Sequence, residues 1–566
     1  MRERDPEPSG VAAPAGVVAR RKWEVWLVAG ATLAVLLVFL GRAFNVDEPL
    51  FIWAGEWIRL HPLDFYGFGV NWYGAGMRMS EVMKNPPLAS YFIALAGKVV
   101  GESEVELHGA FVIWGVGVIV GTYELARMIT ARAMLAAGLA LFSPVVLISA
   151  TTVMCDVMML CLWVWAVVLW MKGLKAENFW MLLAAAVLAG VSALTKYFGV
   201  SLIPLMVVMA LVQQRRMGPW AAALVVPVAM LVAYQVWTQH LYGRGLLLDA
   251  AGYAANAKSS GGKGRFAQLV AGLSFAGGAC VGMVPMLAAS MRRRMWAIWG
   301  AASLLLVGGV IAFDPIKGHE LRGENGFDVA YAAQLAALIT VGAIVMIAAG
   351  AEMRDWKGTG IWLGLWVLGT FVFAAFLNWS VNARSILPMA PAVALIACRR
   401  LDRRGTLKAW ELWSLAPAAA LALACAWSDT AWANVSRDSS AAMMQRAKNY
   451  GTSVYVNGHW GFQYYMEKAG AVAVDARHFR PRRGDLVAYS VNNTNVLRLE
   501  LGEDERERLM ELRPVPLGFL TVMHQDAHAG FYSDVFGPLP YAFGAAPPED
   551  FFLEMLTSRR LPEQRR

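Results

Sequence analysis

The sequence predicts an all-α polytopic membrane protein of about 13 transmembrane helices, followed by a small extracytoplasmic α/β domain at the C-terminus. Of the 566 residues, 58% are hydrophobic and only 16% are charged, which is more apolar than a water-soluble chain of this size requires. Apolar runs of about 20 residues, the length that crosses a bilayer, recur along the chain. The basic residues cluster in the short segments between these runs, as orientation signals do.

The composition also excludes several classes of protein. The net charge of +9 does not indicate nucleic-acid binding, because most of the Lys and Arg residues sit between spans as orientation signals. The five cysteines lie in or beside spans, without CxxC or Cys/His spacing. We therefore expect neither a disulfide framework nor a cysteine-based metal site.

The N-terminal segments set the orientation. Residues 1–22 form a polar tail that ends in three consecutive basic residues, which places the N-terminus in the cytoplasm. Residues 23–427 then form the transmembrane domain. Within it, 45–107 is the first outer loop, where aromatic and charged residues alternate as in juxtamembrane helices that lie in the interface. Its apolar segment 88–100 is too short to span and is predicted as re-entrant or interfacial.

The remaining spans follow from the charged loops. When segment 88–100 is counted as non-crossing, nearly every basic cluster falls on the cytoplasmic side. The predicted spans are 23–43, 108–127, 133–150, 157–171, 178–195, 197–213, 219–238, 266–290, 295–313, 328–350, 359–377, 385–398 and 408–427. We expect an integral protein of a bacterial-type plasma membrane.

Residues 428–566 differ in character from the rest of the chain. Apolar runs shorten to strand length at 453–456, 471–474 and 486–489, and Gly and Pro turns separate them. A charged pattern at 500–512 is typical of a helix. These features predict the extracytoplasmic α/β domain, which the count of spans places outside.

The unusual polar residues of the transmembrane domain converge on its outer face. The midplane of the spans is nearly free of ionisable residues, whereas a secondary transporter is expected to place charges or broken helices there. A reaction centre at one interface fits better, with a carboxylate base for a hydroxyl or amine and cations around a phosphate. The candidate residues are Asp47, Glu48, Lys84, Asn85, His108, Asp156, Lys196, Asn382 and Arg384.

Each candidate also has a purely structural interpretation. Asp47 and Asp156 precede apolar helices and are candidate caps. Lys196 and Arg384 stand at span ends, where long basic side chains snorkel to the interface. His108 at the start of a span is compatible with an ordinary interfacial histidine. Their joint presence on one side favours the functional interpretation.

A series of short motifs follows the predicted spans in a fixed order. They are Asp47-Glu48 after the first span, Asn85-Pro86-Pro87-Leu88, Gly101-x-Ser103-Glu104, the outer Asp156, Leu194-Thr195-Lys196 and Ala383-Arg384-Ser385-Ile386-Leu387-Pro388. This order of motifs resembles the C-type glycosyltransferases that use lipid-phosphate-linked sugars. The nearest groups are the protein O-mannosyltransferases and the lipid A aminoarabinose transferases, and the resemblance covers roughly residues 23–400.

This resemblance implies an enzyme that moves a hexosyl or pentosyl group from a polyprenyl-phosphate donor to an extracytoplasmic lipid, glycan or protein acceptor. It implies that Asp47 is the general base, that Glu48 assists or orients it, and that Asp156 is the second outer acidic residue. The residues implied for the lipid phosphate and sugar are Lys84, Asn85, His108, Lys196, Asn382 and Arg384. Only one carboxylate pair is evident, which favours inversion over a covalent intermediate.

Several alternatives stay open at this stage. Asp47, Glu48 and Asp156 are also a candidate site for a shared divalent metal, although no further ligand cluster stands out. The aromatic stretch 457–465 is either an acceptor platform or the core of a small domain. The alternative functions are a transporter or flippase for polysaccharides or lipid-linked sugars, and a non-catalytic assembly protein of the cell envelope.

Overall fold

A computed structural model describes residues 22–557, apart from residues 261, 262, 324, 325, 481, 494, 495, 498, 500, 501, 503 and 504. Apart from Lys22, the predicted cytoplasmic tail 1–22 lies outside the described residues. Nine helices in the described part of the chain are long and apolar enough to cross a membrane, and a bent pair makes up to ten.

Each of the 13 predicted spans falls on one helix or on a run of consecutive helices, which confirms the predicted fold class. Two predicted spans correspond to apolar helices of fewer than 18 residues, and the twelfth to a run of three short helices. The principal helices of these spans are Lys22–Leu37, Glu104–Arg127, Ala133–Leu141 with Pro144–Ala150, Cys155–Ala176, Phe179–Thr195, Leu202–Gln214, Pro219–Ala223 with Val225–Tyr242, Arg265–Cys280 with Val284–Ala289, Arg293–Phe313, Val329–Glu352, Thr359–Val372, Ala383–Ile386 with Ala390–Asp402, and Ala409–Trp413 with Leu415–Ala447.

The third predicted span is broken rather than straight. Helices Ala133–Leu141 and Pro144–Ala150 meet at an angle of 67°. Pro144 stands at the start of the second helix, where its missing N–H breaks the backbone ladder at little cost. The bend leads the chain to Val153, whose N–H donates a hydrogen bond to Glu48 Oε1 at 2.7 Å.

Segment 45–107, which is predicted to be the first outer loop, contains helices Glu48–Leu60, Met79–Val82 and Leu88–Val99 and a hairpin of strands Gly69–Asn71 and Gly76–Arg78. Helix Glu48–Leu60 buries an apolar face against helix Leu88–Val99. The two backbones approach closely at Gly55, where an added Cβ would lie 2.8 Å from Ile93 Cγ2. This packing fixes the direction in which the helix leaves the Asp47 turn.

A five-stranded sheet forms the centre of the described residues from 428 to 557, which we call the C-terminal unit. Its strands lie side by side in the order Val472–Ala473, Val454–Asn457, Leu486–Ser490, Phe551–Leu556 and Arg506–Leu512, the first two pairings parallel and the last two antiparallel. Helix Trp460–Lys468 follows the second of these strands. Three two-strand ribbons complete the described β-structure: Leu520–Thr521 with Ala542–Phe543, Met523–His524 with Ala529–Gly530, and, outside this unit, Arg322–Gly323 with Gly326–Phe327.

The predicted helical pattern at 500–512 is wrong where the structure describes it. Residues Arg506–Leu512 form an edge strand paired with Phe551–Leu556. Arg506 and Arg508 both form ion pairs with Glu554 across the strands. The sequence-local helix signal is overridden by this tertiary pairing, and the alternating charges suit an exposed sheet edge.

The long helix Leu415–Ala447 joins the two parts of the molecule. It runs through residue 428, so the predicted start of the C-terminal domain lies in mid-helix rather than in a linker. Its last turns contribute Met443 and Ala447 to the core beneath the five-stranded sheet. The C-terminal unit is therefore mounted on a continuous helix.

Candidate functional site

A cavity of about 400 Å³ opens where segment 45–107, helix Leu246–Ser260, the segment around Arg384 and the C-terminal unit meet. Predicted site residues from four separate stretches of the chain reach its walls. They are Asp47, Lys84, Asn85, Lys196, Asn382 and Arg384. The other three, Glu48, His108 and Asp156, lie behind these walls.

Asp47 stands on a strained turn. The preceding Val46 has φ +51°, a conformation that costs a β-branched residue about 1–3 kcal/mol. Asp47 occupies the cap position of helix Glu48–Leu60, but its side chain makes no capping hydrogen bond. Its Oδ2 accepts a hydrogen bond from Arg384 Nη1 at 2.6 Å, and 32% of the side chain is exposed. The carboxylate is therefore used at the cavity rather than at the helix end.

Arg384 joins the two aspartates of the site. While its Nη1 binds Asp47, its Nε donates to Asp156 Oδ2 at 2.9 Å. The other oxygen of Asp156 accepts from Lys196 Nζ. Asp156 has 1% of its side chain exposed, so it holds the two cations from behind and does not itself reach the cavity.

These four residues meet because of where their helices begin and end. Asp156 lies in the first turn of helix Cys155–Ala176, and Lys196 follows the last residue of Phe179–Thr195. Arg384 belongs to a four-residue helix that Asn382 caps by accepting the Ser385 N–H at 2.8 Å. The site thus lies at one end of the helix bundle.

Glu48 has an entirely different environment from Asp47. Its carboxylate is fully buried and accepts hydrogen bonds from Arg42 Nη1 at 2.6 Å and from two backbone N–H groups, those of Asn45 and Val153. Burial by itself would raise the pKa of Glu48, but the charge of Arg42 together with the hydrogen bonds lowers it to about 2. Glu48 is thus an ionised anchor beneath the turn.

His108 accompanies Glu48 rather than the cavity. Its Nε2 lies 3.6 Å from Glu48 Oε1, and its Nδ1 lies 2.7 Å from the carbonyl oxygen of Glu104 one turn earlier. The imidazole stacks on Phe44 with 5.5 Å between the ring centres. The structure therefore places His108 in the support of the turn.

Lys84 brings a third cation to the cavity, together with a carboxylate that the sequence did not indicate. Its Nζ lies 2.7 Å from Asp249 Oδ2, on helix Leu246–Ser260. Asp249 also pairs with Arg244 at 3.3 Å. Asn85 lines the cavity, and its backbone carbonyl accepts a hydrogen bond from Tyr66.

Asp249 was not predicted, because residues 239–264 lie between the predicted spans 219–238 and 266–290 and were expected to form an outer loop. A signal was present, since Leu246, Leu247, Ala250, Ala251 and Ala254 recur at helical spacing. The sequence did not predict which aromatic residues from distant parts of the chain line the cavity. The aromatic groups at the cavity are Trp72, Tyr73, Tyr197, Phe198, Tyr253, Phe373, Trp379, His459, Trp460 and Tyr532.

A π-helix at Phe373–Leu377 leads into the segment that carries Asn382 and Arg384. Single π-turns of this kind are rare and are frequent at functional sites. The Asn378 side chain that follows donates to the Ser380 carbonyl and to Ser385 Oγ, both at 2.8 Å. This local network stiffens the turn that presents Arg384.

The shared-metal alternative is not supported by the geometry. Within the part of the chain that the structure describes, no three His, Cys, Asp or Glu side chains are arranged to hold a metal ion. Of the three predicted carboxylates, Asp47 and Asp156 bind Arg384, while Glu48 binds Arg42. Cations of the protein itself occupy these positions.

The arrangement combines one accessible carboxylate with three basic side chains around a single cavity. A carboxylate at a cavity wall can accept a proton from a bound hydroxyl or amine. Lys and Arg at the same wall can stabilise a developing phosphate charge. These two capacities are what a transfer from a lipid phosphate requires.

Comparison with known proteins gives one family match. Residues 84–238, less than half of the chain, match the family described as dolichyl-phosphate-mannose-protein mannosyltransferase. This match confirms the resemblance to the C-type glycosyltransferases that the motifs predict. None of the curated proteins matches the chain.

Solved structures to which the chain is similar, at low sequence identity, include the following three. ArnT from Cupriavidus metallidurans bound to undecaprenyl phosphate has a TM-score of 0.47 at 13% identity, over 83% of this chain and 94% of that chain. Its apo state has a TM-score of 0.42 at 14% identity, over 83% and 93%. The arabinofuranosyltransferase AftD from Mycobacteria has a TM-score of 0.43 at 11% identity, over 95% of this chain and 40% of that chain.

Proposed function

We propose that the chain is a membrane glycosyltransferase that moves a sugar from a polyprenyl-phosphate donor to an acceptor on the extracytoplasmic side. The observation that carries the proposal is the contact between Asp47 and Arg384 at the cavity wall, with Lys196 bound to the same buried Asp156. It brings a candidate base and candidate phosphate ligands to one point.

The reaction is a single displacement. Asp47 accepts the proton of the acceptor hydroxyl or amine as that atom attacks the anomeric carbon. The bond between the anomeric carbon and the phosphate oxygen breaks, and polyprenyl phosphate leaves with the electron pair. Because the attack comes from the face opposite the phosphate, the anomeric configuration inverts. Asp47 suits the role of base because its side chain is the most exposed of the three predicted carboxylates.

The cations suit the leaving group. Polyprenyl phosphate is an anion tethered in the membrane, so its departure is favoured by basic side chains at headgroup depth. Arg384 and Lys196 stand at helix ends and have 10% and 17% of their side chains exposed. Asp156 keeps both side chains oriented, because its two oxygens accept hydrogen bonds from Arg384 and Lys196. Loss of this buried carboxylate would leave positive charge uncompensated.

The family match supports the broader part of this proposal, a glycosyltransferase embedded in the membrane. The matched family is named for mannose transfer from dolichyl phosphate, which is itself a polyprenyl-type lipid phosphate. This supports a lipid-phosphate-linked donor. The placement of the polar residues at helix ends, rather than at mid-span, favours an enzyme over a transporter or flippase.

The proposal is tested in a strain that lacks the gene, by mass spectrometry of its lipids and glycans. We expect the deletion to accumulate one polyprenyl-phosphate sugar and to lose one glycan modification. The wild-type chain restores the modification, and Asp47→Asn does not, although it is inserted at the same level. Asp438→Asn, at an exposed position on the long helix, serves as the matched control. Restoration by Asp47→Asn would remove Asp47 as the base.

A further inference from the structure

The backbone that leads to Asp47 is held by side chains instead of by a helix or a strand. The Ala43 N–H donates to Asn434 Oδ1 at 2.9 Å, and the Phe44 N–H donates to the Tyr465 hydroxyl at 2.8 Å. Both acceptors lie beyond residue 428, on the long helix and on helix Trp460–Lys468. The C-terminal unit therefore satisfies two consecutive donors of the catalytic segment.

The contact is reciprocal at the next residue. Asn45 Oδ1 accepts the Gly461 N–H at 3.1 Å. Gly461 packs so tightly that an added Cβ would lie 2.3 Å from the Phe44 carbonyl oxygen and 3.0 Å from Asn45 Oδ1. Only glycine fits this position without moving the segment that precedes Asp47.

Two strained turns meet at this contact. Val46 has φ +51° and Trp460 has φ +58°, both unusual for bulky residues, and both line the cavity. The hydrogen bond between Asn45 and Gly461 joins the residues immediately next to them. Such conformations persist only where the surroundings over-determine them, and they cluster at functional sites.

A buried ion pair adds a second connection. Arg42 Nε donates to Asp429 Oδ2 at 2.8 Å, and the Tyr532 hydroxyl donates to Asp429 Oδ1 at 2.8 Å. Arg42 and Asp429 have no exposed side-chain surface, while Tyr532 lines the cavity. The C-terminal unit thus contacts the segment before Asp47 directly and reaches Glu48, on the other side of the turn, through Arg42.

We propose that Gly461, Tyr465 and the turn around them are positioning residues for Asp47, so that the C-terminal unit completes the reaction centre. This proposal rests on the function proposed above. The turn fixes the direction of the Asp47 carboxylate against the acceptor, whereas Lys196 and Arg384 are held by the buried Asp156. Catalysis and donor binding are therefore separable.

The experiment uses the full-length chain in nanodiscs and three variants. Gly461→Ala pushes on the Phe44 carbonyl, and Tyr465→Phe removes one hydroxyl acceptor. Gly518→Ala is the control, because an added Cβ there meets nothing within 4 Å. Transfer is followed with the donor lipid that accumulates in the deletion strain, and binding is measured with undecaprenyl phosphate.

We expect kcat to fall about 100-fold in Gly461→Ala, the usual cost of misplacing a reacting group, and about 10-fold in Tyr465→Phe. KM for the donor and Kd for undecaprenyl phosphate stay within about threefold of the wild-type values, because the phosphate ligands are untouched. Hydrogen exchange of residues 43–48 becomes faster in both variants, and Gly518→Ala behaves as the wild type in every measurement.

The outcomes separate the two proposals. Wild-type kcat in Gly461→Ala and Tyr465→Phe, in spite of faster exchange at 43–48, overturns the positioning role and leaves the proposed function intact. A parallel loss of kcat and of undecaprenyl phosphate binding also overturns it, because the effect is then general damage. Absence of transfer by the wild-type chain overturns the proposed function, and the positioning role with it.

Discussion

Asp47 and Glu48 are neighbours in the chain with opposite surroundings. The Asp47 side chain is about one-third exposed at the cavity, whereas the Glu48 side chain is fully buried against Arg42. The first position suits a group that must meet a substrate, and the second suits an anchor. The two adjacent carboxylates therefore have different roles in the proposed enzyme.

This contrast predicts that Glu48→Gln and Asp47→Asn affect the stability of the folded protein differently. Glu48→Gln removes one of the two carboxylates that balance the buried Arg42 and places an amide where Arg42 and two backbone N–H groups all donate, so the folded protein should lose about 3 kcal/mol, as expected for a broken buried pair. Asp47→Asn should leave the stability close to that of the wild type, because Arg384 keeps Asp156 as its partner. Thermal unfolding of both variants in the same detergent compares them directly. Equal stability of Glu48→Gln and the wild type would contradict the anchoring role.

The buried carboxyl group of Glu549 should make the stability of the C-terminal unit depend on pH. Burial raises the pKa of this carboxyl to about 8, while Asn492 donates hydrogen bonds to both oxygens. The folded state therefore keeps a proton that the unfolded chain releases above about pH 4.3. Its contribution to stability is fully present below that pH and is lost as the pH rises through about 8.

The corresponding measurement is Tm between pH 5 and pH 9. We expect Tm of the wild type to fall over this range and Glu549→Gln to flatten the fall, since glutamine has no proton to release. Glu511→Gln, on the exposed edge strand, should keep the wild-type slope. An unchanged slope in Glu549→Gln would assign the pH dependence to other groups.

The candidate site could be predicted from the sequence only in part. Counting charged loops placed Asp47, Asp156, Lys196 and Arg384 at helix ends on one side, and the structure brings them into contact. The difference between Asp47 and Glu48 could not be predicted, because it depends on Arg42 and on the Val153 N–H. Residue type and spacing do not indicate which of two adjacent carboxylates is buried.

At the scale of elements, helix Leu246–Ser260 contributes an unexpected charge beside the cavity. Asp249 on this helix pairs with Lys84 at the cavity wall, so each of the cations Lys84, Lys196 and Arg384 already has a carboxylate partner. A phosphate that enters this cavity must compete with Asp249 for Lys84. The helix therefore sets how strongly the cavity attracts an anion.

The expected consequence is that Asp249→Asn binds undecaprenyl phosphate about fivefold more tightly, the equivalent of about 1 kcal/mol for a partly exposed pair. Binding is measured by titration in nanodiscs at fixed ionic strength. Asp438→Asn, which is far more exposed, should bind as the wild type does. Weaker binding by Asp249→Asn would show that the aspartate holds the helix in place rather than competing with the phosphate.

Local sequence patterns were sufficient to predict the spans, but they were not sufficient to predict a strand of the C-terminal unit. A span is recognised from its own apolar length, and all 13 predictions fall on helices. Strand Arg506–Leu512 depends on strand Phe551–Leu556, which follows it much later in the chain, and Glu554 on that strand pairs with Arg506 and Arg508. Its charged pattern was therefore mistaken for a helix.

At the scale of the whole molecule, the ion pairs fall into two groups at opposite ends of the helix bundle. The cavity occupies one end, and a second group of ion pairs lies among residues predicted to be cytoplasmic. There Arg132 binds Asp402 and Glu411, and Glu352 receives three arginines of helix Ala390–Asp402 and the turn after it. This division agrees with a reaction centre at one face of the membrane.

The continuous helix Leu415–Ala447 links this membrane body to the C-terminal unit. Asp429 and Asn434 on the helix, and Gly461 and Tyr465 after it, all reach the segment before Asp47. The C-terminal unit is thus part of the reaction centre in the proposed mechanism, and its removal is expected to abolish transfer.

The most direct test of the central claim is release of undecaprenyl phosphate from undecaprenyl-phosphate-linked hexoses and pentoses by the purified chain in nanodiscs. The account predicts that the wild-type chain releases undecaprenyl phosphate from at least one of these donors when extracts of the deletion strain supply the acceptor, and that Asp47→Asn releases at least 100-fold less, roughly the loss that follows removal of a general base. Equal release by the wild type and Asp47→Asn, or no release from any donor, would contradict it.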